Sequence, residues 1–239
     1  MREGRDLQPK PPLVSLVLPV HNQGDHIRAI VESYVAGLAL LPLRYELILV
    51  VNGSSDGSLE ACRELEARRE TVRVIELDER GWGRSVRAGL ASAEGDLLCF
   101  TNSARTTREI LTLMLAYALA YPEVVLKANR RIRESRRRRL GSLLYNIECR
   151  ALFDLSAWDI NGTPKIFPRS FDRLLSLTRD DDLLDCEFNV VCRRHGYPMI
   201  EVPILATERQ GGRSTTNFSS ALRMYAGAWS IWRETRAAP

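Results

Sequence analysis

The stretch LVSLVLPV at residues 13–20, followed at once by HNQGDHIRAIVESYVAGL at 21–38, decides how the rest of the chain is read. The first eight residues are an almost unbroken apolar run rich in branched side chains, the pattern of a strand covered on both faces. The next eighteen change period: Ile27, Ile30, Val31 and Tyr34 recur at helical spacing and define one apolar face. Further along, YELILVVNGSSDGS (45–58) is a second buried strand ending in turn residues, and a helix runs from about Leu59 to Arg69. TVRVIEL (71–77) is a third strand, GRSVRAGLASA (83–93) a helix and GDLLCF (95–100) a fourth strand. Strands alternating with helices imply right-handed crossovers and a mainly parallel α/β sheet flanked by helices on both faces. In such sheets ligands bind beyond the carboxyl ends of the strands, so the loops after 20, 52 and 100 are where function is expected.

The second half alternates less regularly. A helix is expected from about Thr107 to Tyr121, then the strand VVLKAN (124–129), a basic segment, a helix over LGSLLYNIECRALF (140–153) and the stretch WDINGTPKIFPRSF (158–171). LLDCEFNVVCRRHG (183–196), a strand MIEVPILATER (199–209), a turn QGGRS (210–214) and a C-terminal helix complete it. Residues 1–12 read as a flexible leader and 13–239 as a single domain, divided into a nucleotide-sugar half (13–106), an acceptor half (107–218) and a C-terminal amphipathic helix (219–239).

With 239 residues, 45% hydrophobic and 27% charged, the composition is that of a soluble globular protein. The longest uncharged run, Ile110 to Pro122, is shorter than the roughly 20 residues a membrane-spanning helix needs. Five cysteines without a C-x-x-C pair argue against a disulfide framework and a zinc site, and fit a reducing cytoplasm. The net charge of +4 hides a local concentration, RRIRESRRRR at 130–139, which suits phosphate or anionic lipid. Nucleic acid would call for a broad basic field or a recognised motif, and neither is present. In the C-terminal helix Leu222, Tyr225, Trp229 and Trp232 form a stripe that fits either the core or a membrane interface.

The order of these segments resembles family 2 glycosyltransferases of the GT-A fold, polyprenyl-phosphate glycosyltransferases in particular. LVLPVHNQ (16–23) is similar to the family's P-x-Y-N-E opening, and LVVNGSSDGS (49–58) to its V-D-D-G-S-x-D-G-S loop. GWGRSVRAGL (81–90) resembles G-x-G-x-A-x-R-x-G, and WDINGTPKIFPR (158–169) resembles D-x-x-x-G-x-K-x-F-x-R. GYPMIEVPI (196–204) followed by RQGGRS (209–214) resembles G-Y-x-I-x-E-V-P ending in R-x-x-G-x-S. The chain also departs from the pattern. The tyrosine and glutamate of the opening motif are His21 and Gln23, the two aspartates of the first acidic loop fall on Val51 and Asn52, and those of the metal-binding D-x-D fall on Asn102 and Ala104. Mg²⁺ or Mn²⁺, which the resemblance implies, therefore loses its usual carboxylate ligands, and no metal-ligating residues are assigned.

What the resemblance implies is sugar transfer from a nucleotide-sugar donor to a polyprenyl phosphate at the cytoplasmic membrane face, by a single inverting displacement. The alternative is a catalytically silent relative that binds a nucleotide or a partner protein in a regulatory role. The donor would be met by Pro19, His21, Asn22, Asn52, Ser54, Asp56, Gly83, Arg84, Arg87, Asn102 and Arg105. Arg105 would supply by guanidinium the positive charge that a metal normally brings to the departing diphosphate. Lys127, Arg130, Arg131, Lys165, Arg209, Arg213 and Ser214 would hold the acceptor phosphate. Asp159, Asp185 and Glu187 are the candidate catalytic carboxylates; the last two share a face if their segment is a strand and diverge if it is a helix.

Overall fold

The fold is described from a computed structural model covering residues 10–130, 136–205 and 218–237. Seven strands form one sheet: β1 (Leu13–Val20), β2 (Arg44–Asn52), β3 (Val72–Leu77), β4 (Leu97–Phe100), β5 (Val125–Arg130), β6 (Lys165–Pro168) and β7 (Met199–Ile204). Their order is β3-β2-β1-β4-β6-β5-β7, so strands from both halves of the chain join one sheet. β1 pairs in parallel with β2 and β4, β2 with β3, and β5 with β7. β6 alone runs against its neighbours, inserted between β4 and β5. Because β6 reverses direction, the carboxyl ends of β1, β2, β4, β5 and β7 and the start of β6 all lie on one edge of the sheet.

The helices are α1 (Ile27–Leu38), α2 (Ser58–Arg68), α3 (Trp82–Ser92), α4 (Arg108–Ala120), α5 (Arg136–Phe153), α6 (Leu184–Arg194) and α7 (Phe218–Ala237). The alternation of β1 sorts its side chains: Val14, Leu16, Leu18 and Val20 face a core shared with α1, α2 and α4, while Val17 faces one shared with α3 and α6. Each Leu, Ile or Val fully buried in these layers contributes about 1.5–3 kcal/mol. Ile27, Ile30, Val31 and Tyr34 are buried as their spacing predicts, and the Tyr34 hydroxyl donates to the Thr106 carbonyl at 2.6 Å, fixing the loop after β4 to α1. Thr107 caps α4, its hydroxyl accepting from the Ile110 N–H at 3.4 Å.

A third core joins α5, α6 and α7 around Tyr145, Cys149, Cys186, Ala228 and Ile231. Here the C-terminal stripe divides. Ala228 and Ile231 are the buried residues, with Met224 and Tyr225 against them, whereas Leu222 and Trp229 remain 62% and 46% exposed. The bulky positions at spacing three and four thus flank the face where Gly227, at which a Cβ would strike Leu183, lets α7 approach its neighbours. The strand expected to reach residue 209 ends at Ile204, and the QGGRS turn lies outside the described residues, as does the leader up to residue 9.

Candidate active site

Three loops meet at the carboxyl edge. Pro19 and Val20 end β1 in register with Val50 and Val51, beyond the last β1 residue that pairs with β4, so the missing N–H of Pro19 removes no ladder bond on the β4 side. Asn22 follows in a left-handed conformation with φ +51°. Its N–H donates to the Ser54 hydroxyl at 3.2 Å and its side-chain oxygen accepts from Ser55 N–H at 2.9 Å. His21 Nδ1 lies 2.8 Å from the Asn52 carbonyl, a contact in which the ring nitrogen carries the proton. Gln23 N–H donates to the Ser58 hydroxyl at 2.8 Å, and Gly24 N–H to Asp56 Oδ2 at 3.0 Å. Burial pushes the Asp56 carboxyl up, but the Ser58 hydroxyl and the backbone N–H groups of Gly24 and Ser58 outweigh it and hold Asp56 below its ordinary value.

The loop after β4 joins the same network. Asn102 accepts from Ala104 N–H at 3.1 Å, Ser103 donates to Gln23 Oε1 at 2.8 Å, and the Arg105 N–H donates to the Asn102 carbonyl at 3.0 Å. Arg105 therefore sits in a tight turn, half-buried. Arg84 and Arg87 project from the first turns of α3 and are both paired with Asp180, Arg84 also with Glu79. A side chain at Gly83 would strike the Arg179 carbonyl oxygen, so this glycine lets α3 lie against the 179–181 segment.

In the second half of the chain the two carboxylates of LLDCEF lie in the first turn of helix α6 and diverge. Asp185 turns inward to Lys165, while Glu187 accepts from the N–H groups of Thr178 and Arg179 at 2.9 Å each. Glu187 thus anchors the segment that carries Asp180, and through it Arg84 and Arg87. Asp159 is held by Arg130 through Nε to Oδ2 and Nη2 to Oδ1, both 2.7 Å, and through the Arg130 N–H at 3.0 Å. With its lone pairs so engaged, Asp159 positions Arg130 in this conformation; service as a base would require the pair to open.

The assignment of Lys127 and Lys165 to a phosphate is corrected by their surroundings. Phe100, Lys165, Lys127 and Glu201 are register partners across β4, β6, β5 and β7, forming one transverse row on the α3/α6 side. Both lysine side chains are wholly buried. Lys127 Nζ donates to the Asp159 carbonyl at 2.6 Å and pairs with Glu201 at 2.8 Å; Lys165 pairs with Asp185 and lies 5.5 Å from the centre of the Phe100 ring. Burial pushes the Lys165 ammonium below its ordinary value, more than Asp185 restores, with Lys127 adding repulsion. Three cations, Lys127, Arg130 and Lys165, thus face three carboxylates, Asp159, Asp185 and Glu201. A buried ammonium stays charged only with such partners, so the two lysines tie β5 and β6 to Asp159 and α6 rather than reach solvent. Arg131, Arg209, Arg213 and Ser214 lie outside the described residues.

Glu201 was not singled out from the sequence. Its carboxylate also accepts from Trp158 N–H at 2.9 Å and Asp159 N–H at 3.1 Å. Burial pushes it up, but the Lys127 ammonium and these N–H groups hold it below its ordinary value. The available signals were the glutamate of the matched G-Y-x-I-x-E-V-P pattern and its place as a lone acid inside the apolar strand MIEVPI.

The donor set at the three loops does not fit a divalent cation. Asn52, Asn102 and Ala104 supply no carboxylate, Asp56 is engaged by Gly24 and Ser58, and no cluster of three or more His, Cys, Asp or Glu suited to a metal occurs among the described residues.

A chain of this topology has many solved counterparts. Glucosyl-3-phosphoglycerate synthase from Mycobacterium tuberculosis, in complex with UDP, superposes with a TM-score of 0.69 at 14% identity, covering 92% of this chain and 80% of that one. The same enzyme with Mn²⁺, UDP and glucosyl-3-phosphoglycerate gives 0.70 at 16% identity, with 92% and 80% covered. These likenesses establish the GT-A fold. In sequence, the undecaprenyl-phosphate 4-deoxy-4-formamido-L-arabinose transferase of Pectobacterium carotovorum is 25% identical over 217 residues, 88% of this chain and 64% of the relative. The dodecaprenyl-phosphate galacturonate synthase of Rhizobium johnstonii is 35% identical over 88 residues, 36% of this chain and 26% of the relative. The chain spans less than two thirds of the length of these relatives. The family model for glycosyl transferase family 2 matches residues 15–175, from β1 through the β4 loop, Asp159 and β6, and on this match the chain belongs to glycosyl transferase family 2.

Proposed function

We propose that this chain transfers a sugar from a nucleoside-diphosphate donor to a polyprenyl phosphate at an anionic membrane surface. The observation that carries the reading is the shared edge: the loops after β1, β2 and β4 open on the same side of the sheet as Arg130 at the end of β5. A donor seated on the first three loops would present its anomeric carbon toward the Arg130 side. His21, Asn22, Asn52, Ser54, Asp56, Gly83 and Asn102 would shape the donor pocket, with Arg84, Arg87 and Arg105 as its positive charge. Asp159, held against Arg130, would fix that guanidinium for the acceptor phosphate, and Arg131, Arg209, Arg213 and Ser214 would complete the acceptor side.

The chemistry needs no strong protein base. A phosphate monoester has a second pKa of about 6 and arrives largely dianionic at neutral pH. Its oxygen attacks the anomeric carbon as the bond from that carbon to the diphosphate oxygen breaks; the nucleoside diphosphate leaves with the electron pair, and the configuration inverts. Fixed cations supply alignment and charge stabilisation. The named relatives are transferases or synthases, and nothing among them supports the silent-relative reading.

Contact with a bilayer is supported by α5 and α7. The two helices pack through Tyr145 and Tyr225, whose rings meet edge to face at 5.6 Å. Leu143, Leu144 and Ile147 on α5 and Leu222 and Trp229 on α7 are 43–62% exposed, and α5 begins at the Arg136–Arg139 run. Exposed apolar side chains on a helix whose sequence opens with an arginine run suit an interface with anionic headgroups. No helix among the described residues is long and apolar enough to cross a membrane.

The test is transfer of radiolabelled sugar from UDP- and GDP-sugars into undecaprenyl phosphate held in anionic vesicles. Label entering the lipid only when the acceptor is present supports the reading. Donor hydrolysis alone, or no reaction with any donor, refutes it.

A further inference from the structure

We infer that the donor loops of this chain bind their nucleotide without a divalent cation. The inference rests on the reading of those loops as the donor site, and goes beyond it by assigning the site an ion-free chemistry. The positions where a metal-binding relative would carry acids are occupied by neutral groups that the fold uses for other purposes.

Asn52 shows this most clearly. It is 3% exposed; its Nδ2 donates to the Val20 carbonyl at 2.9 Å and its Oδ1 accepts from the Gly81 N–H at 3.3 Å. An aspartate could accept from Gly81 but could not donate to Val20, and its charge would face a carbonyl oxygen inside the protein. The site is therefore built for an amide.

Asn102 closes the turn after β4 by accepting from Ala104 N–H at 3.1 Å. Ala104 is 2% exposed and has no ligating atom on its side chain. Gln23, which stands where the opening motif has its acid, uses its amide oxygen on the Ser103 hydroxyl at 2.8 Å. Asp56, the carboxylate this loop retains, is taken up by the Gly24 N–H at 3.0 Å and the Ser58 N–H at 3.0 Å. Mg²⁺ and Mn²⁺ draw their affinity from hard anionic oxygens, and a pocket in which Gln23, Asn52 and Asn102 are neutral and the Asp56 carboxylate is already hydrogen-bonded to Gly24 and Ser58 offers little to offset the cost of dehydrating the ion. Five positions depart from the acidic pattern: Val51 and Ala104 carry apolar side chains, and the amides of Gln23, Asn52 and Asn102 are each engaged in hydrogen bonds within the protein, so the ion-free state is a property of the fold at this edge.

The experiment uses the full chain. Mn²⁺ is titrated into it with electron paramagnetic resonance reading the free ion, with and without UDP or GDP, and nucleotide affinity is measured by calorimetry in excess chelator and in excess Mn²⁺. The expected result is that the protein lowers free Mn²⁺ no further than the same buffer or the same nucleotide does without protein, and that affinity changes by no more than about twofold between the two conditions. The variants Asn102→Ala and Asn102→Ser separate the loop from adventitious surface sites. Mn²⁺ bound equally by wild type and both variants lies elsewhere and leaves the inference standing; a bound signal, or a Mn²⁺-dependent gain beyond about twofold, that is lost in both variants overturns it. If neither nucleotide binds in either condition while Mn²⁺ stays free, the donor-site reading fails and the conclusion about the ion stands. Nucleotide that binds only with Mn²⁺ overturns the inference and leaves the donor site intact.

Discussion

Removing the carboxylate of Glu201 should expose how the buried charge row of β5, β6 and β7 is held together. In Glu201→Leu the Lys127 ammonium, itself wholly buried, loses the Glu201 carboxylate at 2.8 Å and keeps the Asp159 carbonyl at 2.6 Å. The N–H groups of Trp158 and Asp159 lose their acceptor as well. Breaking one side of a buried pair costs about 3–5 kcal/mol. The Glu201 side chain is 17% exposed, so water can reach the vacated site, and the lower end, about 3 kcal/mol, is expected. Lys127→Met, which leaves Glu201 without its ammonium but still bonded to two N–H groups, should cost about 2–3 kcal/mol. The double variant replaces both charges by apolar side chains in adjacent register positions and should cost at least about 2 kcal/mol less than the sum of the single changes. Urea unfolding followed by circular dichroism, with the slopes compared to confirm two-state behaviour, measures all three. Additive costs would refute the argument, because they would mean that Lys127 and Glu201 are stabilised independently.

Three further outcomes follow from the same geometry. Because the Glu201 carboxyl is held below its ordinary value of 4.5, its contribution is fully present above that pH and lost as pH falls through the folded value; Glu201→Gln should flatten the decline in melting temperature between about pH 5 and 3. Asn52→Asp should destabilise the chain by about 1–3 kcal/mol in urea, since the buried Val20 carbonyl loses its donor, and should not confer Mn²⁺ binding. Leu144→Glu combined with Trp229→Glu should weaken co-sedimentation with anionic vesicles by at least about tenfold, each change removing some 1.5 kcal/mol or more of apolar burial, while leaving the melting temperature little altered because both side chains are about half exposed.

Much of the molecule was legible in one dimension. Apolar runs of β-branched residues, helical spacing at Ile27, Ile30, Val31 and Tyr34, and turn residues after each strand are local signals, because burial on both faces and helical periodicity are imposed residue by residue. The ordered set of short motifs located the loops at the carboxyl edge and the absence of acids at Asn52, Asn102 and Ala104. Whether Asp185 and Glu187 shared a face was open because their segment fits both periods; only packing against Lys165 and the 178–179 segment settles it as a helix.

What the chain alone determined is the kind of each element and the chemistry available at its ends, for those depend on neighbours a few residues apart. Which charge meets which is a matter of register between distant strands. Lys127 and Lys165 read as candidate ligands of the acceptor phosphate until β6 reverses between β4 and β5 and places them side by side, with Glu201 and Asp185 alongside. The cost of burying an ammonium then requires carboxylate partners, and that requirement is expressed only when strands far apart in sequence have met.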